Sequence, residues 1–345
     1  EGFQPLNAAN VRPETVIARP DKYVGSKIYT GDNSDKFIDV GFKPDLSYFA
    51  RRNTAGYIKY MFDSVRGATK YLATSESQGN DAEGTATDGL KSFDPKGVII
   101  GNNAQMNENA GLYVSWHWKA GGNKNTFNVD DVGYATAAAA GLTGGDISPT
   151  AASVGTKQGF SIITWDTASL SGTKSISTGL TQAPEFVITK VTTADDDWLT
   201  FHKDLSSTES LILNGTRAKL ANAAYAHTFN SDGTISGLVV GDPNWWMSDE
   251  TYIFYSWHSV PSLQKFGKYE GNGDGDGPFV DLGFRPALVV CKNIDAVQPW
   301  QVYDSKRGPI NVIDKGLQWN SSNAEYSGTD RIDFVSNGFK VRGDG

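Results

Sequence analysis

The residue types best suited to binding chemistry in this chain lie in two aromatic stretches. Trp245 and Trp246 are adjacent in "DPNWWMSD", and in an extended backbone only one of two neighbouring side chains can face a core. Trp198 follows three acids, among them Asp196, in "TTADDDWLTF". An exposed tryptophan can stack on a sugar ring while carboxylates hold the sugar hydroxyls. These four residues are the candidate glycan-binding positions; packing in a core or subunit interface, or a solvated loop, is the alternative.

Two related turns pair an aspartate with an arginine three residues later. "MFDSVRGA" contains Asp63 and Arg66, and "VYDSKRGP" contains Asp304 and Arg307. Such a pair could grip a sugar or another subunit through charge-assisted hydrogen bonds. In the alternative, the aspartate accepts backbone N–H bonds of its own turn and the arginine neutralises it. Because the pattern occurs twice, the structural interpretation is favoured.

No set of residues predicts an enzyme or a metal site. Histidine follows tryptophan at Trp116–His117 and again at Trp257–His258, but neighbours in a strand face opposite sides, so a structural role is favoured. His202 and His227 lack the spacing of a metal site. We therefore predict no catalytic residue, no metal and no cofactor. With 39 acidic residues some carboxylate pair could lie close enough to cleave a glycan, so a depolymerase stays an open alternative.

Composition narrows the class of partner. The net charge of −8 would repel a phosphate backbone, so we expect no nucleic-acid binding. The sequence contains no apolar run of about 18 residues, so we expect no membrane insertion. The single cysteine, Cys291, cannot form a disulfide within the chain. Abundant glycine together with aromatic residues is typical of short strands and tight turns.

A phrase of the sequence recurs along the chain. "IDVGFKPDLSYF", from residue 38, returns as "VDLGFRPALVV" from residue 280, and more weakly as "TGLTQAPEFVITK". Gly41 and Gly283 can take positive φ at no steric cost, and Pro44 and Pro286 exclude helix in the residue before them. The apolar run that follows each proline predicts a strand buried on both faces. The phrase is therefore a turn that leads into a buried strand.

The spacing of these phrases predicts repeated units. Gly41 and Asp63 are 22 residues apart, and Gly283 and Asp304 are 21 apart. "LYVSWHW" and "TYIFYSW" close the first two copies, whereas the matching strand of the third would fall beyond Gly345. A unit without that strand has an unpaired edge. We expect the natural chain to continue, or another segment to cover this edge.

The predicted fold is all-β, with three diverged, jelly-roll-like β-sandwich repeats, the third lacking its last strand. The repeats could pack around a pseudo-threefold axis or in a row. A weak helical pattern covers residues 218–226, and we expect the Gly/Ala/Thr-rich segment to be an ordered arm, with a mobile linker as the alternative. The predicted boundaries are an N-terminal connector (1–22), repeat 1 (23–119), the arm (120–156), repeat 2 (157–260) and repeat 3 (261–345).

These motifs, taken in order, resemble a domain family of bacteriophage tail and virion proteins that is frequent in phages of marine bacteria. The matching stretches include "YTGDN", "MFDSVRGATKYL", "ENAGLYVSWHWKAGG", "KFGKYEGNGDGDGPFVDLGFRPALVVCKN" and "WQVYDSKRGP", and the likeness covers roughly residues 20–342. The second copy departs from the pattern in "AHTFNSDGTISGLVVGDPNWWM".

The resemblance implies a component of the virion, on the tail or the capsid exterior. We expect a tail-fibre or receptor-binding protein, a homotrimer that contacts other virion proteins and attaches to a host cell-surface polysaccharide. A purely structural fibre or capsid-decoration segment is the alternative, and a depolymerase tailspike is the second. The family supplies no catalytic residues to place on this sequence.

Overall fold

Short strands are the main regular structure of the described residues, which confirms the all-β prediction. The structure is a computed structural model that describes residues 17–75, 79–242, 245–328 and 331–343. The strands are β1 (Val24–Thr30), β2 (Lys36–Asp39), β3 (Leu46–Arg51), β4 (Tyr60–Asp63), β5 (Lys70–Ala73), β6 (Gly84–Thr85), β7 (Leu90–Asp94), β8 (Gly97–Ile100), β9 (Leu112–Trp118), β10 (Phe127–Val129), β11 (Val132–Tyr134), β12 (Ala151–Gly155), β13 (Phe160–Asp166), β14 (Gly172–Ser177), β15 (Phe186–Val191), β16 (Leu199–His202), β17 (Glu209–Ile212), β18 (Leu220–Ala221), β19 (Thr228–Phe229), β20 (Thr234–Val240), β21 (Thr251–Trp257), β22 (Phe279–Asp281), β23 (Leu288–Cys291), β24 (Gln301–Asp304), β25 (Leu317–Gln318), β26 (Ile332–Val335) and β27 (Gly338–Val341).

Helical structure is confined to short pieces. They are α1 (Ala104–Asn107) and two 3-10 helices, Pro20–Lys22 and Ala223–Tyr225. The helical pattern at residues 218–226 thus becomes one 3-10 turn after β18. Across the described ranges, no helix is long and apolar enough to cross a membrane.

Two units of the fold share one strand order, and a third unit matches part of it. In the first unit, a large sheet of order β1-β9-β3-β4-β5-β6 accompanies a small sheet, β2-β8-β7. The second unit has the same two orders, β13-β21-β15-β16-β17-β18 and β14-β20-β19. The third unit has β23-β24-β25 and β22-β27-β26, which match β3-β4-β5 and β2-β8-β7.

The third unit lacks one strand more than the sequence predicts. As expected, none of its described strands takes the place of β9 or β21. In addition, none takes the place of β1 or β13, although "FGKYEGNG" resembles them in sequence. This is a correction to the predicted third repeat. β1 forms hydrogen bonds with β9, and β13 forms hydrogen bonds with β21. Since no described strand of the third unit corresponds to β9 or β21, a strand like β1 has no partner there.

Each large sheet has apolar side chains packed on both of its faces. One face packs on the small sheet of its own unit, and the other meets the remaining large sheets in a central core. The buried residues of the central core are Leu46, Tyr48, Ala50, Met61, Leu72, Val114, Trp116, Trp118, Ala120, Phe160, Ile162, Ile188, Trp198, Leu211, Leu213, Ile253, Tyr255, Trp257, Trp300, Val302, Leu317 and Trp319. The units therefore surround a common core, in keeping with a pseudo-threefold arrangement and not with a row.

The segment between the first two units is ordered. Residues 127–129 pair in parallel with β12 and antiparallel with β11, so the arm adds three strands to the edge of the second large sheet beyond β13. Phe127 is buried in the core of the second unit. The arm thus runs along a neighbouring unit through strand pairing.

A glycine with positive φ precedes β3, β15 and β23. The φ angles are 89° at Gly41, 73° at Gly179 and 80° at Gly283. Side chains other than glycine rarely adopt this conformation, so the recurring phrase is a turn that aims each following strand along the central core.

Candidate functional site

The adjacent tryptophans are buried, which corrects the expectation that one ring faces solvent. Trp245 is 2% exposed and Trp246 is 0% exposed. Both belong to the core of the second unit, where Trp246 packs on Trp165 with ring centroids 5.5 Å apart. Pro243 and Asn244 lie outside the described residues. Neither indole can stack on a sugar in this structure.

Trp198 joins two units. It is 0% exposed, and its Nε1 donates to the Ala73 carbonyl of the first unit at 2.8 Å. Trp300 occupies the same place before β24, and its Nε1 donates to Ile212 O of the second unit at 2.8 Å. Before β4 the residue is Lys59, whose Nζ donates to Ser321 O of the third unit. One contact of this type therefore links each unit to the next around the central core.

The acidic loop before Trp198 is part of the same joint. The Asp196 N–H donates to Asn80 O at 2.8 Å, and Asp195 Oδ1 accepts from Ala82 N at 2.8 Å. Asp196 is half-buried, and burial raises the pKa of its carboxyl group. These hydrogen bonds connect the second unit to the first. Asp196 and the three tryptophans therefore do not form an open sugar-binding site.

The two Asp-Arg turns have the geometry of the structural interpretation. Asp63 Oδ1 accepts from Val65 N at 3.1 Å and Arg66 N at 2.9 Å, and its Oδ2 lies 2.6 Å from Arg66 Nε. In the other turn, Asp304 Oδ2 lies 2.5 Å from Arg307 Nε, and both side chains are fully buried. Burial acts to lower the pKa of Arg66, but the neighbouring charges, Asp63 first, outweigh it and raise the pKa, so the guanidinium stays charged.

Each of these aspartates also accepts a bond from a neighbouring unit. Tyr255 Oη, on β21, donates to Asp63 Oδ2 at 2.7 Å. Trp116 Nε1, on β9, donates to Asp304 Oδ2 at 3.3 Å. Tyr255 and Trp116 hold the same position in their strands, two residues before the last tryptophan. The two turns are therefore junctions between units.

His202 takes the corresponding place in the second unit. It ends β16 as Asp63 ends β4 and Asp304 ends β24, and it pairs with the first residue of β15. Its Nδ1 accepts from Asp204 N at 3.1 Å, like the aspartates in their turns. Its Trp116 or Tyr255 counterpart would come from the third unit, in which none of the described strands takes that place. His202 thus marks an incomplete junction.

The Trp116–His117 pair contributes to packing and hydrogen bonding inside the first unit. Trp116 lies in the central core, while His117, one residue on, packs edge-on to Phe49 of the first unit's own core. The His117 ring nitrogens bond Ser47 Oγ at 2.9 Å and Ser115 Oγ at 2.8 Å. Burial lowers the pKa of His117 to about 3, so its imidazole is neutral at physiological pH.

An open sheet edge lies beside this incomplete junction. β23 bonds to β24, and the described strands include no partner on its other side. Val290 packs against the central core but is only half-buried, whereas the matching Tyr48 and Ile188 are at 0% and 1% exposure. Residues 267–276 are all exposed. One of them, Tyr269, packs its ring edge-on to Phe339.

A surface cleft of about 510 Å³ opens next to His202. Its walls are the turn before β15, the turn after β16 and the strand β19 of the small sheet. The lining residues are Gln182, Ala183, Pro184, Glu185, His202, Lys203, Leu205, Ser207, His227, Thr228, Phe229 and Ser231. Polar and charged residues line the cleft together with a few apolar ones.

The cleft is close to electrically neutral. Burial lowers the pKa of both His202 and His227, which favours their uncharged forms. Lys203 Nζ lies 3.2 Å from Glu185 Oε1, and the other Glu185 oxygen accepts from Ser259 N at 3.1 Å. In the part of the chain that the structure describes, no group of three His, Cys, Asp or Glu residues could hold a metal ion.

Sequence reasoning missed the cleft because its walls come from separated segments. His202 and His227 are 25 residues apart and carry no motif spacing. The one usable signal was the second copy's departure from the repeat pattern: it has His202 where the other copies have Asp63 and Asp304. A different residue type at such a junction position indicates that the surface around it differs from that of the other units.

The chain belongs to a family defined by one domain. The model of the domain of unknown function DUF7483 matches residues 19–345, which is almost the whole chain. No curated protein and no solved structure matches the chain.

Proposed function

We propose that this chain is a non-enzymatic structural module of a bacteriophage virion, on the tail or capsid exterior, in contact with other virion proteins. The observation that supports a structural role is the burial of Trp198, Trp245 and Trp246, which serve as joints and core instead of a display surface. The virion assignment rests on the resemblance of the ordered motifs. A homotrimer is the proposed assembly.

The test uses purified particles of the phage that carries this gene. We expect peptides of the chain in mass spectra of the particles, and antibody against the chain to decorate the tail or capsid exterior in electron micrographs. Native mass spectrometry of the isolated chain should give three copies. A chain found in infected cells but absent from particles would contradict the virion role, and a monomer would contradict the trimer alone.

Attachment to a host polysaccharide is the second candidate, and the cleft beside His202 favours it. Its neutral imidazoles, hydroxyl groups and Phe229 ring suit an uncharged sugar, since aromatic faces stack on pyranose rings while imidazoles bond hydroxyls. Fluorescently labelled chain should then bind host cells saturably, and Phe229→Ala should abolish binding. Trp245→Ala is not a suitable probe, since that side chain is buried. Equal binding by Phe229→Ala would remove the cleft from consideration.

Cleavage of a glycan finds no support in the cleft. Hydrolysis needs two carboxylates facing each other across a groove at about 5–10 Å. Among the residues that line the cleft, Glu185 is the sole carboxylate, and Lys203 and Ser259 engage its oxygens. Incubation with host polysaccharide should release no new reducing ends. Release that disappears in Glu185→Gln would contradict this.

A further inference from the structure

We propose that residues 7–11 of this chain dock on the outer edge of β1 as an added antiparallel strand, in the way that β12 docks on β13. The inference concerns how the first unit closes its outer side, so it goes beyond the virion role and stands without it. An uncovered strand edge is a template for pairing with other chains, and natural proteins cover or blunt such edges. The docked segment removes this template from the surface of the first unit.

The outer edge of β1 carries a row of backbone groups that bond no described residue. Gly31 N donates to Gly111 O at 2.8 Å at one end of the β1–β9 ladder. Lys119 N donates to Tyr23 O at 2.8 Å at the other end. Backbone groups alternate in direction along an antiparallel pair. The residues whose N–H and C=O groups point away from β9 are therefore Val24, Ser26, Ile28 and Thr30.

The second unit shows how the same edge is covered. β13 holds the place of β1, since each pairs with the strand that ends in the last tryptophan of its unit. Ser153 of β12 stands opposite Ile162 of β13. Thr150 N, just before β12, donates to Thr164 O at 2.8 Å. Thr164 is 7% exposed, whereas Ile28, at the matching position of β1, is 46% exposed. In its described part, the first unit thus has no counterpart of β12.

A short stretch of sequence before β1 matches β12. Residues 7–11 read "NAANV", and residues 150–154 read "TAASV". Two alanines and the valine are identical, and a small polar residue precedes the valine in both stretches. The arm precedes the unit that it covers, and residues 7–11 precede the first unit in the same way. Residues 1–16 lie outside the described ranges, so the assignment rests on this match and on the edge that the segment would fill.

The matched side chains suit the space beside β1. In β12, Ala152 and Val154 are 0% exposed and belong to the core of the second unit. Ala9 and Val11 would take their places, which sets Val11 opposite Gly25. Val11 and Gly25 are 14 residues apart in the chain, and paired strands lie only about 5 Å apart, so the connection is long enough. The small Ala9 lets the segment approach the sheet as closely as β12 does.

Disulfide trapping tests the assigned register. In a chain with Cys291→Ser, which removes the single cysteine, the β12–β13 register places Asn10→Cys opposite Ser26→Cys. Mild oxidation should link these two positions within one chain, as detected by mass spectrometry of proteolytic peptides. In the control pair, Asn10→Cys with Lys27→Cys, the second thiol lies on the other face of β1 and should stay unlinked. Equal linkage of both pairs, no linkage, or linkage only between chains would overturn the proposal.

Hydrogen exchange tests the same pairing in a chain that keeps its cysteine. The four outward amides of β1 should exchange slowly in the unaltered chain. Asn10→Pro removes an N–H from the added ladder and should speed their exchange about fivefold or more, while the amides that bond β9 stay unchanged. Thr15→Pro, outside the segment, is the control and should change neither set. Fast exchange of the outward amides in the unaltered chain would refute the docking. Slow exchange that Asn10→Pro leaves unchanged would refute it too, since another segment would then cover the edge.

Discussion

Single residues before β4, β16 and β24 make hydrogen bonds between units. Lys59, Trp198 and Trp300 each donate a hydrogen bond to a backbone carbonyl of the next unit. Each also accepts, at its own carbonyl, a bond from the strand beside it: from Thr74, Leu213 and Trp319, respectively. A residue at this place thus connects two units, and its replacement should lower the free energy of unfolding of the whole chain.

Replacing Trp198 with phenylalanine tests the value of this joint. Trp198→Phe removes the indole N–H that bonds Ala73 O but keeps an aromatic ring. Trp165→Phe is the matched control, because Trp165 is equally buried and its Nε1 has no hydrogen-bond partner among the described residues. We expect Trp198→Phe to lower the free energy of unfolding by about 1–3 kcal/mol more than the control, measured by urea denaturation. Equal losses would show that the bond contributes nothing.

The buried pair of Asp304 and Arg307 predicts a rescue. Asp304→Ala leaves a fully buried guanidinium without its main carboxylate and should cost about 3–5 kcal/mol of unfolding free energy. The double variant Asp304→Ala/Arg307→Met removes both charges and should recover part of that loss. Urea denaturation of the two variants measures the difference. A double variant less stable than Asp304→Ala would mean that Arg307 stabilises the fold through its other bonds, to Val302 O and Glu325.

At the scale of the element, the sequence predicts what is encoded locally. The Gly-Pro phrase predicts the turns before β3, β15 and β23, and alternation predicts that Trp116 and His117 face opposite sides. The burial of Trp198, Trp245 and Trp246 is not predictable in this way, because their neighbours lie on segments distant in sequence. The cleft is missed for the same reason. Among the described strands of the third unit none takes the place of β1 or of its partner β9, and a local pattern such as that of "FGKYEGNG" does not depend on whether a partner is present.

In the small sheet of the first unit, β2 passes so close to Gly97 of β8 that no side chain fits there. A Cβ added at Gly97 would lie 1.9 Å from Ile38 O, and one at Gly338 would lie 2.0 Å from Val280 O. These glycines hold the same place, opposite Asp39 and Asp281 in their small sheets. Gly97→Ala should therefore force β2 away from β8.

We expect Gly97→Ala to cost about 1–3 kcal/mol of unfolding free energy, as overpacked sites do. Gly271→Ala is the control, since a Cβ there meets nothing within 4 Å. Thermal unfolding, followed by circular dichroism, compares the two. A Gly97→Ala chain as stable as the control would mean that the small sheet shifts without cost.

At the scale of the whole molecule, the three units close a ring of joints that is not uniform. Two joints use a tryptophan, and the third uses Lys59, which is 1% exposed. Burial, followed by the nearby charge of Arg307, lowers the pKa of Lys59 from 10.5 to about 7. The joint between the first and third units should therefore respond to pH.

The pH dependence of this joint has a defined sign. Between pH 7 and 10.5 the unfolded chain keeps the Lys59 proton and the folded chain does not, so raising the pH stabilises the fold. Relative to Lys59→Met, the unfolding free energy of the natural chain should rise by about 1.4 kcal/mol per pH unit between about pH 7.5 and 9.5. Below pH 7, both the folded and the unfolded chain hold the proton, and the difference in unfolding free energy becomes constant.

Urea denaturation at three pH values measures this, with Lys268→Met as the control for loss of an exposed lysine. Parallel curves for the natural chain and Lys59→Met would mean that Lys59 keeps its proton in the fold and that the joint is an ordinary charged hydrogen bond.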